Sequence, residues 1–187
     1  MSTVLQSKPV GQENLAERLQ FQTKLQVVTN KVHATKNIDE IILELSAELC
    51  SLFNADRLTI YITSEDKGSI VSKVKTGLNS FKDIKLPINE QSVAGFVASS
   101  KRMVNIRDVY DDAELKSYSG QLNFLKAVDA KTGYRTKQML VSAVLEAKTK
   151  ELIGVVQIIN SKSGQPFPSI MEEGVTQLCE TLAIAFR

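Results

Sequence analysis

Residues 128–145 constrain the fold more than any other stretch. A polar turn, Val128-Asp-Ala-Lys-Thr-Gly-Tyr-Arg-Thr136, passes without a gap into Lys137-Gln-Met-Leu-Val-Ser-Ala-Val-Leu145, an apolar run with β-branched residues. This is a loop feeding a buried strand. Polar side chains at such an entrance, here Asp129, Thr132 and Thr136, can line a pocket without belonging to the core. Two hydroxyls and a carboxylate suit recognition of a polar ligand. With no activated nucleophile, base or metal-ligating cluster beside them, neither a catalytic residue nor a metal ligand is expected. A plainer reading stands next to this one: Thr132, Gly133 and Thr136 are turn and strand-start residues, Gly133 supplies a positive φ, and Asp129 is a turn residue.

The rest of the chain supplies a frame for that strand. Leu15, Leu19, Leu25, Val28 and Val32 recur at helical spacing and predict an amphipathic helix over 13–34, after a polar tail at 1–12. A second helix is expected from Asn37, an N-cap with Glu40 three residues on, through Ile38, Ile41, Ile42, Leu45, Leu49 and Leu52. Residues 56–63 and 69–76 read as a hairpin, 85–88 as a short strand, 92–100 as a short helix and 103–106 as strand. A polar and aromatic excursion at 108–119 precedes a weak helical pattern through Leu122, Leu125 and Val128. Strands 138–147 and 151–160 form a second hairpin, and a helix from Ser169 carries Val175, Leu178, Leu182 and Phe186. Hairpin-linked strands with helices at both ends predict an α+β domain: a central antiparallel sheet of five or six strands with helices packed on it, the second and last helices together on one face.

Composition narrows the partners. Lys and Arg number 23 against 21 Asp and Glu, with the signs interspersed, which argues against a nucleic-acid footprint. No apolar run is long enough to span a bilayer and the first residues lack a signal peptide's pattern, so a cytoplasmic protein without membrane association is expected. Cys50 and Cys179 fall in apolar helical patterns and read as small buried hydrophobes. His33, the sole histidine, reads as a solvated helix residue.

Four strings carry a family resemblance: Ser92-Val-Ala-Gly-Phe-Val-Ala98, Asn105-Ile-Arg-Asp-Val-Tyr110, the Thr132-Gly-Tyr-Arg-Thr136 turn, and Leu152-Ile-Gly-Val-Val-Gln-Ile-Ile-Asn160. In this order the chain resembles a GAF domain, a PAS-like fold, of the type found in cyclic-nucleotide phosphodiesterases and adenylate cyclases, over residues 37–187. The resemblance implies a small-molecule pocket for a cyclic nucleotide, with no other cofactor. Its lining would be Thr59, Lys75, Thr76, Val93, Ala94, Leu125, Asp129, Thr132, Thr136 and Gln157. Val93 and Ala94 would open a helix whose free N–H groups face a phosphate, and Thr132 and Thr136 would donate to phosphate or ribose.

Two departures from the family pattern bear on the ligand. Nucleotide-binding members carry Asn-Lys after the last strand and Phe-x-x-x-Asp-Glu beyond it, the Lys and Asp forming a salt bridge. Asn160, Phe167 and Glu172 match, whereas Ser161 and Met171 replace both charges; Lys162, one residue on, and Glu173, two residues on, are the candidates for a shifted pair. Guanine-reading members place an aromatic residue and an Asp where Lys75 and Thr76 stand, so a cAMP-like ligand is favoured over cGMP. The implied role is a non-enzymatic sensor within a longer protein, covalently linked to an effector domain and forming a homodimer through its terminal helices, with the 13–34 stripe as the contact. The alternative for that helix is to fold back onto its own domain. The alternatives are a ligand-free dimerisation or relay module of a histidine kinase, transcription activator or secretion ATPase, and a methionine sulfoxide reductase.

Overall fold

The computed structural model describes residues 10–35, 37–75 and 81–186. Six strands, β1 (Ala55–Thr63), β2 (Ser69–Lys75), β3 (Phe81–Pro87), β4 (Val104–Ile106), β5 (Met139–Leu145) and β6 (Leu152–Ser161), form one sheet in the order β3-β2-β1-β6-β5-β4. Every pairing is antiparallel. The central strands are buried on both sides, which explains their near-continuous apolar sequence: Val156 and Ile158 of β6 join one core, Val155 the other.

One face is covered by α1 (Val10–Ala34), α2 (Ile38–Glu44), α3 (Ser46–Leu52) and α7 (Ser169–Ala185). Ile41, Leu49, Val175, Leu178 and Leu182 share a single apolar cluster there, so the second and last helices lie on the same face, with α1 in contact with both α3 and α7. The expected helix over 37–52 is two helices joined at Leu45. There the Ser46 hydroxyl donates to the Leu43 carbonyl at 3.3 Å, the local competition with helix bonding that serine offers. Asn37 caps α2 by accepting the Asp39 N–H. At the chain's end α7 stops at Ala185, with Phe186 as its C-cap.

α1 takes the fold-back alternative. It begins at Val10, inside the expected tail, and buries Phe21, Leu25, Val28 and Val32 in the cluster it shares with α3 and α7. Leu15 and Leu19, placed on the same stripe by sequence reasoning, are 59% and 61% exposed. The reason is helical geometry: Leu19 stands two residues from Phe21 and so points to the opposite side of the helix. Phe21 meets Phe53 edge to face at 6.0 Å between centroids. Close approach requires Gly174, where a Cβ would lie 2.4 Å from the Phe21 ring. Arg18 pairs with Glu173 at 3.6 Å, so Glu173 does not replace the family's missing bridge through Lys162.

The opposite face carries α4 (Val93–Ser100), α5 (Asp112–Tyr118) and α6 (Lys126–Thr132). Within the polar and aromatic stretch at 108–119, Asp112–Tyr118 forms α5, with Leu115 buried. α6 starts later than its apolar pattern suggested because Leu122 lies in the core before the helix begins. Between the faces the sheet is not continuous: β1 pairs with β2 only at Ile62–Val71 and Thr63–Ile70. Beyond that point β2 stays with β3, and the Ser72 hydroxyl donates to the Ile60 carbonyl at 2.6 Å. The parting of β2 from β1 opens the space that becomes the candidate site.

Candidate functional site

A cavity of about 720 Å³ lies against β1, between the sheet and α4 and α6. Thr59 and Gln157, paired across β1 and β6, form its floor with Tyr61, Met139 and Ile159. Ser92 and Val93 form one wall; Phe124, Leu125, Val128, Asp129 and Thr136 form the other. Where β1 has lost β2, the cavity continues around the strand to Leu43, Ser46, Ala47 and Cys50 of α2 and α3. The mixture of apolar walls and a few directed polar groups is what a small-molecule site requires.

The first turn of α4 is one end of this site. Ser92 caps it, its hydroxyl oxygen accepting the Gly95 N–H at 3.0 Å, and Phe96 N–H bonds back to the Ser92 carbonyl. The N–H groups of the helix start, beginning with Val93, have no intrahelical acceptor and carry the positive end of the helix dipole. That end attracts an anion.

The other end holds an anion already. Asp129 is buried at 7% exposure; its Oδ2 accepts the Thr136 N–H at 2.8 Å and the Tyr110 hydroxyl at 2.7 Å, and its Oδ1 accepts the Thr136 hydroxyl at 2.9 Å. Burial pushes the carboxyl up, but these bonds and Arg135 outweigh it and hold Asp129 below the ordinary carboxylate value. Hydrogen bonding to Asp129 in turn raises the Tyr110 phenol. On the floor, burial pushes Tyr61 up to about 12, against a hydrogen bond from Gln157.

A second set of bonds fixes the loop between α6 and β5. Asn160, in a left-handed conformation with φ 55°, accepts the N–H groups of Lys137 and Gln138 at 2.7 and 3.2 Å through Oδ1. Its Nδ2 donates to the Arg135 carbonyl at 2.8 Å and the Tyr134 hydroxyl at 2.9 Å. Tyr134 donates to Asp56 at 3.2 Å and lies under the Arg57 guanidinium, 3.7 Å from the ring centroid. The cavity mouth is thus framed by a cation and a carboxylate that are each partnered.

This fold and these elements match the GAF domain family model over residues 37–186. The chain belongs to the GAF family. It is 26% identical over 164 residues to a probable 3',5'-cyclic phosphodiesterase of Caenorhabditis elegans, covering 81% of this chain and 21% of that protein. It is 30% identical over 149 residues to a cGMP-specific 3',5'-cyclic phosphodiesterase of Drosophila erecta, covering 73% of this chain and 12% of that protein. The chain therefore spans a small part of these relatives. Among solved structures it resembles the GAF domain of an Acinetobacter phosphoenolpyruvate-protein phosphotransferase, with a TM-score of 0.68, 13% identity and coverage of 88% and 91% of the two chains. It also resembles the free methionine-R-sulfoxide reductase of Neisseria meningitidis, with a TM-score of 0.65, 12% identity and coverage of 91% and 90%. At these identities the likeness is one of fold.

Within the GAF domain the structure brings Thr59, Val93, Leu125, Asp129, Thr136 and Gln157 into one cavity lining. Ala94 is buried in the core beneath α4. Thr132 is exposed: its hydroxyl donates to the Val128 carbonyl at 2.8 Å and accepts the Tyr134 N–H at 3.3 Å, so its role here is to close α6. Thr136 gives its hydroxyl to Asp129, and so the pair acts as one unit. Gly133 ends α6 with φ 73°, as its place in the turn required. Lys75 ends β2; Thr76 lies outside the described residues. Sequence reasoning missed Tyr110, Tyr134 and Arg57, whose sequence signal is only an aromatic or cation in a polar stretch. Cys179 is buried, its thiol pushed up to about 12. Cys50 is half-buried and borders the cavity instead of lying in the core. No helix among the described residues is long and apolar enough to cross a membrane.

Proposed function

We propose that this GAF domain is the sensory part of a larger signalling protein, binding a cyclic nucleotide of adenine type in the cavity and passing the bound state through α1 and α7 to a linked effector domain. The observation that carries this reading is the cavity's polarity: a helix start with unengaged N–H groups at Val93 faces, across the Thr59–Gln157 floor, a wall built on an ionised Asp129. A cyclic phosphate belongs at the first end and is repelled from the second, which leaves ribose and base toward α6. Adenine is favoured because guanine's ring N–H and amino group call for a carboxylate. The two that line the cavity, Asp129 and Asp56, already accept bonds from Tyr110, Thr136 and Tyr134. The cyclic-nucleotide phosphodiesterases among the relatives support the ligand class. The catalytic output lies, on this reading, in the effector and not in the domain.

Isothermal titration of the full chain with cAMP and cGMP tests the proposal. Saturable binding with cAMP the tighter ligand is expected, and a cAMP concentration 100 times its dissociation constant should add about 2.7 kcal/mol of stability. Absence of binding by both nucleotides would reject it. A dimerisation role has its own support in Leu15 and Leu19, exposed on the half of α1 that precedes Phe21, and is compatible with the sensor.

A further inference from the structure

Among the described helices α6 alone has no buried apolar side chain; its one buried residue is Asp129. Leu125 and Val128 line the cavity yet are 42% and 58% exposed. No side-chain bond caps the helix start, and its end turns out through Gly133. Besides Lys126, whose ammonium lies 5.4 Å from the Tyr110 ring centre, the helix is held by the bonds to one carboxylate, and two of the three come from Thr136 on the adjoining loop. The third comes from Tyr110, on a different element between β4 and α5. Tyr110 is itself fixed independently of its hydroxyl: Phe124 meets its ring at 5.5 Å between centroids, and the Arg135 guanidinium lies 3.8 Å from the ring centre.

We infer that Tyr110 is the positioning residue that holds α6 closed over the cavity, so that its hydroxyl sets how fast a ligand enters and leaves. The closed helix presents Leu125 and Val128 to the cavity. Opening breaks the Tyr110–Asp129 bond while the aromatic packing around Tyr110 stays in place. A hydrogen bond to a carboxylate corresponds to a factor of about ten or more in such an equilibrium. Because the latch acts on the empty and the filled cavity alike, its loss should speed association and dissociation together and change affinity less than either rate.

The experiment is amide hydrogen exchange on the ligand-free full chain, comparing wild type with Tyr110→Phe and Thr136→Val. The reporters are Gly133, whose N–H bonds the Asp129 carbonyl, and, in Tyr110→Phe, Thr136, whose N–H bonds the Asp129 carboxylate. About tenfold faster exchange at these amides, with β6 amides at wild-type rates, is the expected result. Wild-type exchange at Gly133 in both variants would overturn the inference, and so would an equal rise across β6, which would mean general loosening. With cAMP as the probe, Tyr110→Phe should release the nucleotide about tenfold faster; release at the wild-type rate would overturn the link to ligand exchange. This last step rests on the cyclic-nucleotide reading, whereas the ligand-free exchange does not: local loosening in a protein that binds no cAMP would leave the latch standing and reject the ligand.

Discussion

The two faces of the sheet are closed by different kinds of force. On the α1, α2, α3 and α7 face, long apolar stripes meet in one cluster in which Leu25, Ile41, Leu49, Leu178 and Leu182 are almost wholly buried. On the other face α4 and α5 supply a smaller core, and α6 is held by a carboxylate. The first arrangement is closed by apolar packing and meets the cavity along its edge, at Leu43, Ser46, Ala47 and Cys50. The second leaves a cavity whose cover is attached by a few directed bonds, each separately breakable. On the proposed reading, stability and ligand exchange fall to opposite sides of one sheet, so that the cavity face can open without unfolding the domain.

The comparison breaks most visibly on the apolar side. Leu178→Ala, at a fully buried position, is expected to cost about 2–5 kcal/mol in urea unfolding; a loss below about 1 kcal/mol would mean that α7 is not packed as described. Gly174→Ala puts a Cβ against the Phe21 ring and should cost about 1–3 kcal/mol by overpacking. Deleting α1 should remove most of that penalty, since the two contacts under 3 Å are with Phe21, while the Phe53 ring lies 3.3 Å away. If Gly174→Ala is neutral in the full chain, α1 is not docked on α7.

How far these contrasts were readable in the sequence depends on the force involved. The apolar face was legible because its stripes repeat: 41, 45, 49, 52 and 175, 178, 182 each mark one side of a helix. The docking side of α1 was misjudged because Leu15 and Leu19 fit a loose apolar pattern, while the residue that orients the helix, Phe21, acts through a glycine 153 positions away in sequence. On the cavity side the turn at 128–136 pointed to a candidate site. It did not show that Asp129 and Thr136 would satisfy each other, because that depends on Tyr110 arriving from another element. Thr132 illustrates the same limit: a hydroxyl in a turn bonds its own backbone as readily as a ligand.

Smaller effects sharpen the polar side. Thr136→Val should cost about 1.5 kcal/mol through the lost bond to a charged group, measured by urea unfolding. Asp129 also gives the domain a pH signature. Its carboxyl is held low in the fold, so its stabilising contribution is full above the unfolded carboxylate value near pH 4 and drains as pH falls through the lower folded value. Asp129→Asn should flatten that part of the acid limb of a stability–pH curve; an unchanged limb would mean the carboxylate is not held by these bonds. The smallest effect belongs to the exposed end of α1. Leu15→Glu with Leu19→Glu should alter stability by no more than about 0.5 kcal/mol while weakening any self-association seen by sedimentation equilibrium.

The most direct test of a binding face set apart from a structural face is to observe where cAMP sits, by intermolecular nuclear Overhauser effects between the nucleotide and the methyl groups of the full chain. Contacts are expected to Val93, Leu125, Val128 and Ile159 and none to Leu25, Leu178 or Leu182. Contacts to the latter group, or none to any methyl at saturating cAMP, would contradict this separation of faces.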